Sequence, residues 1–290
     1  AQSRMTKKRR VIKLTNMMKP NILTALFIFS FSFCASASKP NACAYTAILF
    51  WGDSLTYGVG SESNNGYPNY FVGKGCKIIK KGFPGQTSSD IAIRQGGLSP
   101  IINTGKIKNG VYEITSLTPS GGFRKYKEMS FMGSISDAPV IMQRNKDNTW
   151  SIKSTAEINC SSGCQFITSE SVSENNALNI IWVGRNNNFS FPRIIKRDVG
   201  LMISTLPHDN KYLVIGITPS LTDTKEDLEN IRNINRILQD KYKSNFIDIW
   251  SELSKDGSIP RAMYSDDVHF NDLGYKAIAK IIEAKITQVQ

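Results

Sequence analysis

The stretch Thr46-Ala47-Ile48-Leu49-Phe50-Trp51-Gly52-Asp53-Ser54-Leu55 decides how this chain is read. An uncharged run, apolar after its first residue, stops at a glycine and a short polar turn. Such runs, bounded by turn formers, read as buried strands. A strand apolar on both faces belongs in a parallel sheet covered on both sides.

Working outward, four further runs repeat the pattern: 77–81 ending at Gly82-Phe83-Pro84-Gly85, 178–183 ending at Gly184, 212–218 ending at Pro219, and 246–250. Helical spacing fills the gaps. Residues 88–94 make a short helix, 191–205 carry Ile194, Ile195, Val199, Met202 and Ile203, and 225–243 align Leu228, Ile231, Ile234, Leu238 and Tyr242 on one stripe. Asn271 is placed to N-cap a last helix bearing Ala277, Ile278, Ile281, Ile282 and Ile286. Strand–helix alternation predicts a mostly parallel five-stranded sheet with helices on both faces. Residues 96–177 break the rhythm with Ser, Thr, Asn and Gly, short alternating pieces at 111–115, 149–153 and 165–168, and turns at Gly121-Gly122 and Asp147-Asn148. They read as an all-β insertion dividing an α/β core into 44–95 and 178–290.

The formal charge of +12 resembles that of a nucleic-acid binder, but seven of the 36 basic residues and no acidic ones precede residue 38. The remaining 29 against 24 acidic residues leave +5, which does not call for a polyanion partner. The basic run leads into an apolar stretch, 22–37, ending in Ala35-Ser36-Ala37, so 1–37 reads as a secretory signal peptide. The stretch falls short of the ~20 residues that span a bilayer, with an uncleaved anchor as the lesser alternative. Phe33 before Cys34 speaks against lipoprotein processing. Export leaves four cysteines and three possible pairings. Cys43 and Cys76 each stand at the entrance of an apolar strand, and Cys160-Ser-Ser-Gly-Cys164 is turn-like, so the expected bonds are Cys43–Cys76 and Cys160–Cys164. Zinc is the rival reading, but no histidine is close in sequence and the spacing is not that of a zinc ribbon.

Ligands and active groups of open parallel sheets gather beyond the carboxyl ends of the strands. Gly52 to Gly58, Gly82 to Thr87, Gly184 to Asn187 and Asp266 to His269 all fall there. The chain has only two histidines. His208 sits in a loop at the entrance side, leaving His269 as the candidate base. A serine becomes a nucleophile when a base takes its proton and a carboxylate orients that base. In a helical turn, residues three apart share a face, so Asp266 can hold one imidazole nitrogen and leave the other to Ser54, with Asp267 pointing elsewhere.

These segments resemble the four sequence blocks of the SGNH hydrolases, the esterase and lipase superfamily with a Gly-Asp-Ser-Leu signature, over roughly 44–95 and 178–290. The resemblance implies a flavodoxin-like three-layer α/β/α fold. It also implies Ser54 as nucleophile, His269 as base, Asp266 as its orienting carboxylate, and an oxyanion hole of the Ser54 and Gly85 N–H groups with the Asn186 side-chain amide. Fixed donors of this kind contribute about 2.7–4 kcal/mol each to acyl transfer. The usual third block, Gly-x-Asn-Asp, reads here Gly184-Arg185-Asn186-Asn187, which adds a cation and replaces a supporting Asp. Arg185 is read first as one half of a salt bridge and second as a hold for an anionic group. Asp53 is read as support for the nucleophile turn. The insert's Tyr112, Phe123, Tyr126, Phe131, Trp150 and Phe166 are read as its core before a sugar-stacking platform.

The expected protein is an exported (periplasmic or secreted) serine esterase acting on a short acyl ester, acetyl above all, of a small molecule, carbohydrate or cell-wall glycan. It needs no metal or organic cofactor, has no nucleic-acid partner and keeps no stable membrane association once the leader is removed. The alternatives are a lipase or lysophospholipase, an acyltransferase on the same core, and a non-catalytic glycan-binding protein.

Overall fold

The computed structural model describes residues 43–124 and 127–289. The leader reading over 1–37 and the Tyr126 side chain lie outside these residues.

Strand β1 (Ala47–Gly52) is buried at every position, as a central strand with apolar residues on both faces must be. It pairs in parallel with β2 (Lys77–Gly82) on one side and β3 (Leu178–Trp182) on the other, and β4 (Lys211–Ile215) and β5 (Phe246–Ile247) extend the sheet beyond β3. The order β5-β4-β3-β1-β2 is the flavodoxin-like one. The helices are α1 (Ser54–Tyr57), α2 (Ser88–Gln95), α3 (Pro192–Ser204), α4 (Lys225–Tyr242), α5 (Ile249–Leu253) and α6 (Asp272–Val289). Helix α3 packs between α2 and α4, while α6 packs on α5 and on the 3-10 turn Tyr67–Phe71. The two groups give three α/β/α layers.

Two strands end earlier than their apolar runs. After Ile215 the chain leaves the sheet because Asn235 of α4 takes over the backbone of Ile217, accepting from its N–H at 2.8 Å and donating to its carbonyl at 2.9 Å. In the run 246–250 only Phe246–Ile247 is strand. Asp248 then N-caps α5, its Oδ1 accepting from Ser251 N–H at 3.1 Å, and a side chain that satisfies a helix start competes with the ladder.

Between α2 and β3 every strand pairing is antiparallel. The largest unit is a five-stranded sheet with Met129–Ile135, Ala138–Arg144 and Trp150–Ser154 at its centre. Phe131 and Phe166 are fully buried there, and Phe123 packs edge-on to Trp150 with ring centroids 5.0 Å apart. These rings, with the partly buried Tyr112, form a core rather than a platform. The bonded cysteine pairs are Cys43–Cys76, at the entrances of β1 and β2, and Cys160–Cys164.

One buried ion pair ties this β unit to the parallel sheet's helices. Arg144 Nη1 lies 2.8 Å from Asp90 Oδ1, both side chains fully buried, and the guanidinium faces the Phe123 and Trp150 rings. Asp90 also closes the capping box with Thr87 at the start of α2. Removing one member of a buried pair leaves an uncompensated charge. Arg144→Met is therefore expected to lower the unfolding free energy by about 3–5 kcal/mol in urea titrations, and adding Asp90→Asn should recover part of it. A loss near zero would mean the pair does not brace the two units.

Candidate active site

Helix α1 lies directly on the ends of β1 and β2, and this proximity sets where Ser54 stands. A Cβ on Gly52 would come 2.1 Å from Thr56 Oγ1, and one on Gly82 would come 2.2 Å from the Tyr57 nitrogen. Only glycine at both strand ends admits the turn. Asp53 caps α1, its Oδ1 accepting from Leu55 N–H at 3.0 Å.

His269 Nε2 lies 2.9 Å from Ser54 Oγ, and His269 Nδ1 lies 2.7 Å from Asp266 Oδ2. The helical turn expected around Asp266 is absent, and 265–268 form a bend instead. Asp266 Oδ1 accepts from the Val268 and His269 N–H groups at 2.7 and 2.6 Å, so the carboxylate folds its own loop and presents its second oxygen to the ring. The contact three residues apart survives, but an Asp-centred turn makes it. Burial pushes the Asp266 carboxyl up, but these N–H bonds and the imidazole outweigh it and hold the group below the usual carboxylate range. Asp267 is exposed, and its carbonyl accepts from Leu221 N–H.

Gly85 sits in the left-handed region at φ +79°, so its backbone conformation itself favours glycine, and a Cβ there would come 3.0 Å from Lys127 Cε. The Asn186 amide donates to Gln86 O at 3.0 Å and to Asp53 Oδ2 at 3.3 Å, while its oxygen accepts from Arg124 Nη1 at 3.1 Å. Asn187 binds Ser88 twice, accepting from its N–H and donating to its hydroxyl, both at 2.9 Å, which fastens the third loop to α2. Arg185 makes a two-pronged pair with Asp223 at 2.6 and 2.7 Å, the salt-bridge role. His208 is exposed in a turn before β4 and takes no part here.

Ser54, Gly85, Asn186 and His269 border one crevice of about 600 Å³. Arg124 and Lys127 border it too, and the sequence reading missed both. No spacing rule ties an insert residue to Ser54, and the only signal was the basic cluster at 124–127 that follows Gly121-Gly122. Among the described residues no group of three or more His, Cys, Asp or Glu is placed to hold a metal ion.

No protein-family model and no curated protein matches the chain. Solved structures do. A G-D-S-L-family protein assigned as lipolytic from Desulfitobacterium hafniense is 12% identical with a TM-score of 0.50, over 83% of this chain and 99% of that one. A G-D-S-L lipolytic family member from Veillonella parvula is 13% identical with a TM-score of 0.49, over 83% and 98%. Est24, a carbohydrate acetylesterase from Sinorhizobium meliloti, is 14% identical with a TM-score of 0.43, over 84% and 99%. At such identities the likeness is one of fold.

Asp53 offers a test of this geometry. Its burial raises the carboxyl pKa from 3.8 to about 6, against the pull of Leu55 N–H and Arg185. Across that window the unfolded chain gives up the proton before the folded one, so rising pH favours unfolding. Relative to Asp53→Asn, which does not titrate, the wild type should lose on the order of 3 kcal/mol of stability as pH climbs through the window. Urea midpoints of both proteins against pH measure it; a constant difference would show that Asp53 is not desolvated.

Proposed function

We propose that this chain is an exported serine esterase of the SGNH type that removes a short acyl group, acetyl above all, from a carbohydrate or cell-wall glycan. One observation carries the reading: Ser54 Oγ, the His269 ring and Asp266 stand in hydrogen-bonded sequence at 2.9 and 2.7 Å.

His269 takes the Ser54 proton as Oγ attacks the ester carbonyl, and Asp266 holds the imidazolium that forms. The tetrahedral oxygen is received by the N–H groups of Ser54 and Gly85. The Asn186 amide joins them when substrate oxygen displaces its longer contact, 3.3 Å to Asp53. His269 returns the proton to the leaving alcohol, and water then repeats the sequence on the acyl-enzyme to release the acid.

The crevice supports a short acyl group. A long chain gains about 0.8 kcal/mol for each methylene that apolar walls bury. Here the apolar lining is limited to Val59, Pro84, Phe189 and Val268 among charged and polar neighbours. The glycan reading draws on the β unit that borders the crevice through Arg124 and Lys127. Export draws on the leader-like 1–37 and on two disulfides, which persist in oxidising compartments. No helix among the described residues is long and apolar enough to cross a membrane.

A panel of p-nitrophenyl esters, extended to acetylated xylan and peptidoglycan, is expected to show acetate cleaved fastest. Ser54→Ala should cut kcat by about 10⁴-fold or more. Faster cleavage of long chains would point to a lipase. Retained glycan binding without wild-type turnover on any ester would point to a binding protein. Because no step runs through a metal, EDTA is expected to leave turnover unchanged, and a chelator-sensitive rate would contradict the mechanism.

A further inference from the structure

We propose that the β unit makes this enzyme selective for esters carried on an anion, a carboxylate or phosphate group near the scissile bond, held by Arg124 and Lys127. The inference rests on the esterase reading above and narrows its substrate class.

Cations around the crevice are of two kinds. Arg185, which lines it, is neutralised by Asp223, just as Arg144 and Arg197, which do not line it, are neutralised by Asp90 and Asp198. Arg124 and Lys127 form no ion pair among the described residues, and both are exposed. Arg124 uses Nη1 on the neutral Asn186 oxygen at 3.1 Å, leaving the rest of a fork that matches carboxylate or phosphate oxygens. Lys127 lies beside Gly85, with Nζ 3.5 Å from where a Cβ there would stand. The two charges thus flank two of the three groups proposed to receive the oxyanion.

The carboxylates that line the crevice, Asp223 and Asp227, and Asp266 on the other nitrogen of His269, are each engaged. Asp223 holds Arg185 and Asp266 holds its own loop and His269. Asp227 accepts from the Thr224 hydroxyl at 2.7 Å in the capping box of α4, at the positive end of that helix's dipole. Arg124, Lys127 and Arg185 thus outnumber Asp223 and Asp227, and a substrate entering beside Gly85 and Asn186 meets a net positive lining. The placement is built in, because the Lys127 carbonyl accepts from Arg144 Nε at 2.9 Å. The buried Arg144–Asp90 pair thus anchors the backbone of Lys127, while Arg124 is held by Asn186.

Positive charge that served only the developing oxyanion would act on every ester alike, and the experiment separates the two roles. Acetate release is measured from 4-acetoxybenzoate, its neutral methyl ester and 4-acetoxyphenyl phosphate, with wild type and the Arg124→Gln/Lys127→Gln double variant. For the wild type at low salt, kcat/KM should favour the better anionic ester over the neutral one about tenfold. The ratio should fall toward one in the double variant. It should also fall as ionic strength rises from ~0.01 to ~1 M and the screening length drops from about 30 to about 3 Å. The better of the two anions identifies the group. Both side chains are exposed and the anchoring carbonyl is main chain, so an unchanged melting temperature is expected of the double variant. No anionic preference in the wild type, or an equal fall on all three esters, overturns the proposal and leaves the esterase reading intact. Should none of the esters be cleaved, NMR titration with 4-hydroxybenzoate and phenyl phosphate decides. Binding that the double variant loses upholds the anion site while the esterase reading falls, and absence of binding overturns the site as well.

Discussion

The crevice depends on how closely one short helical turn approaches the sheet. Helix α1 rests on the carboxyl ends of β1 and β2 because Gly52 and Gly82, paired in register, present no side chain there. The same strand ends leave carbonyls that need donors, since unpaired buried carbonyls are costly. Arg94, buried under the Trp51 ring, supplies them. Its Nη2 donates to Lys81 O at 2.7 Å and Gly52 O at 3.4 Å, and its Nε donates to Gln86 Oε1 at 2.9 Å. Burial draws its pKa down to about 10, so the guanidinium stays charged at neutral pH. Gln86 in turn receives the Asn186 amide. The Ser54 turn, the Gly85 loop and the Asn186 loop are thus held by one continuous polar chain rooted in the sheet.

Asp90 gives that chain a second branch. The carboxylate that caps α2 also receives Arg144 from the β unit, so the helix start behind the Gly85 loop and the attachment of the inserted strands share one group. A buried pair of this kind contributes less to net stability than its Coulomb energy suggests, because both ions must be desolvated. Its consequence here is positional. It holds the Lys127 backbone, and with it the part of the β unit that borders the crevice.

Local pattern was legible where one force dominates. Uninterrupted apolar runs located the parallel strands and helical spacing located α3, α4 and α6, because burial on a sheet or a helix face imposes its own period. The pattern overran where a single side chain competes for backbone groups. Asn235 ends β4 and Asp248 starts α5, and neither exchange alters hydrophobic periodicity. The spacing of Asp266 and His269 pointed to a contact that the structure contains, but a helical turn and an Asp-centred bend both satisfy a three-residue separation.

By itself, the sequence determined the strand–helix alternation, the order of the strand-end segments, and the residue types that gather beyond the sheet. Those properties follow from burial and from chain direction in a parallel sheet. Only the tertiary structure decided that Arg124 and Lys127 join Ser54 and His269. Lys127 is held through its carbonyl by Arg144, which pairs with Asp90 54 positions away, and Arg124 by Asn186 across 62 positions; contacts over such spans leave no periodic trace in the chain.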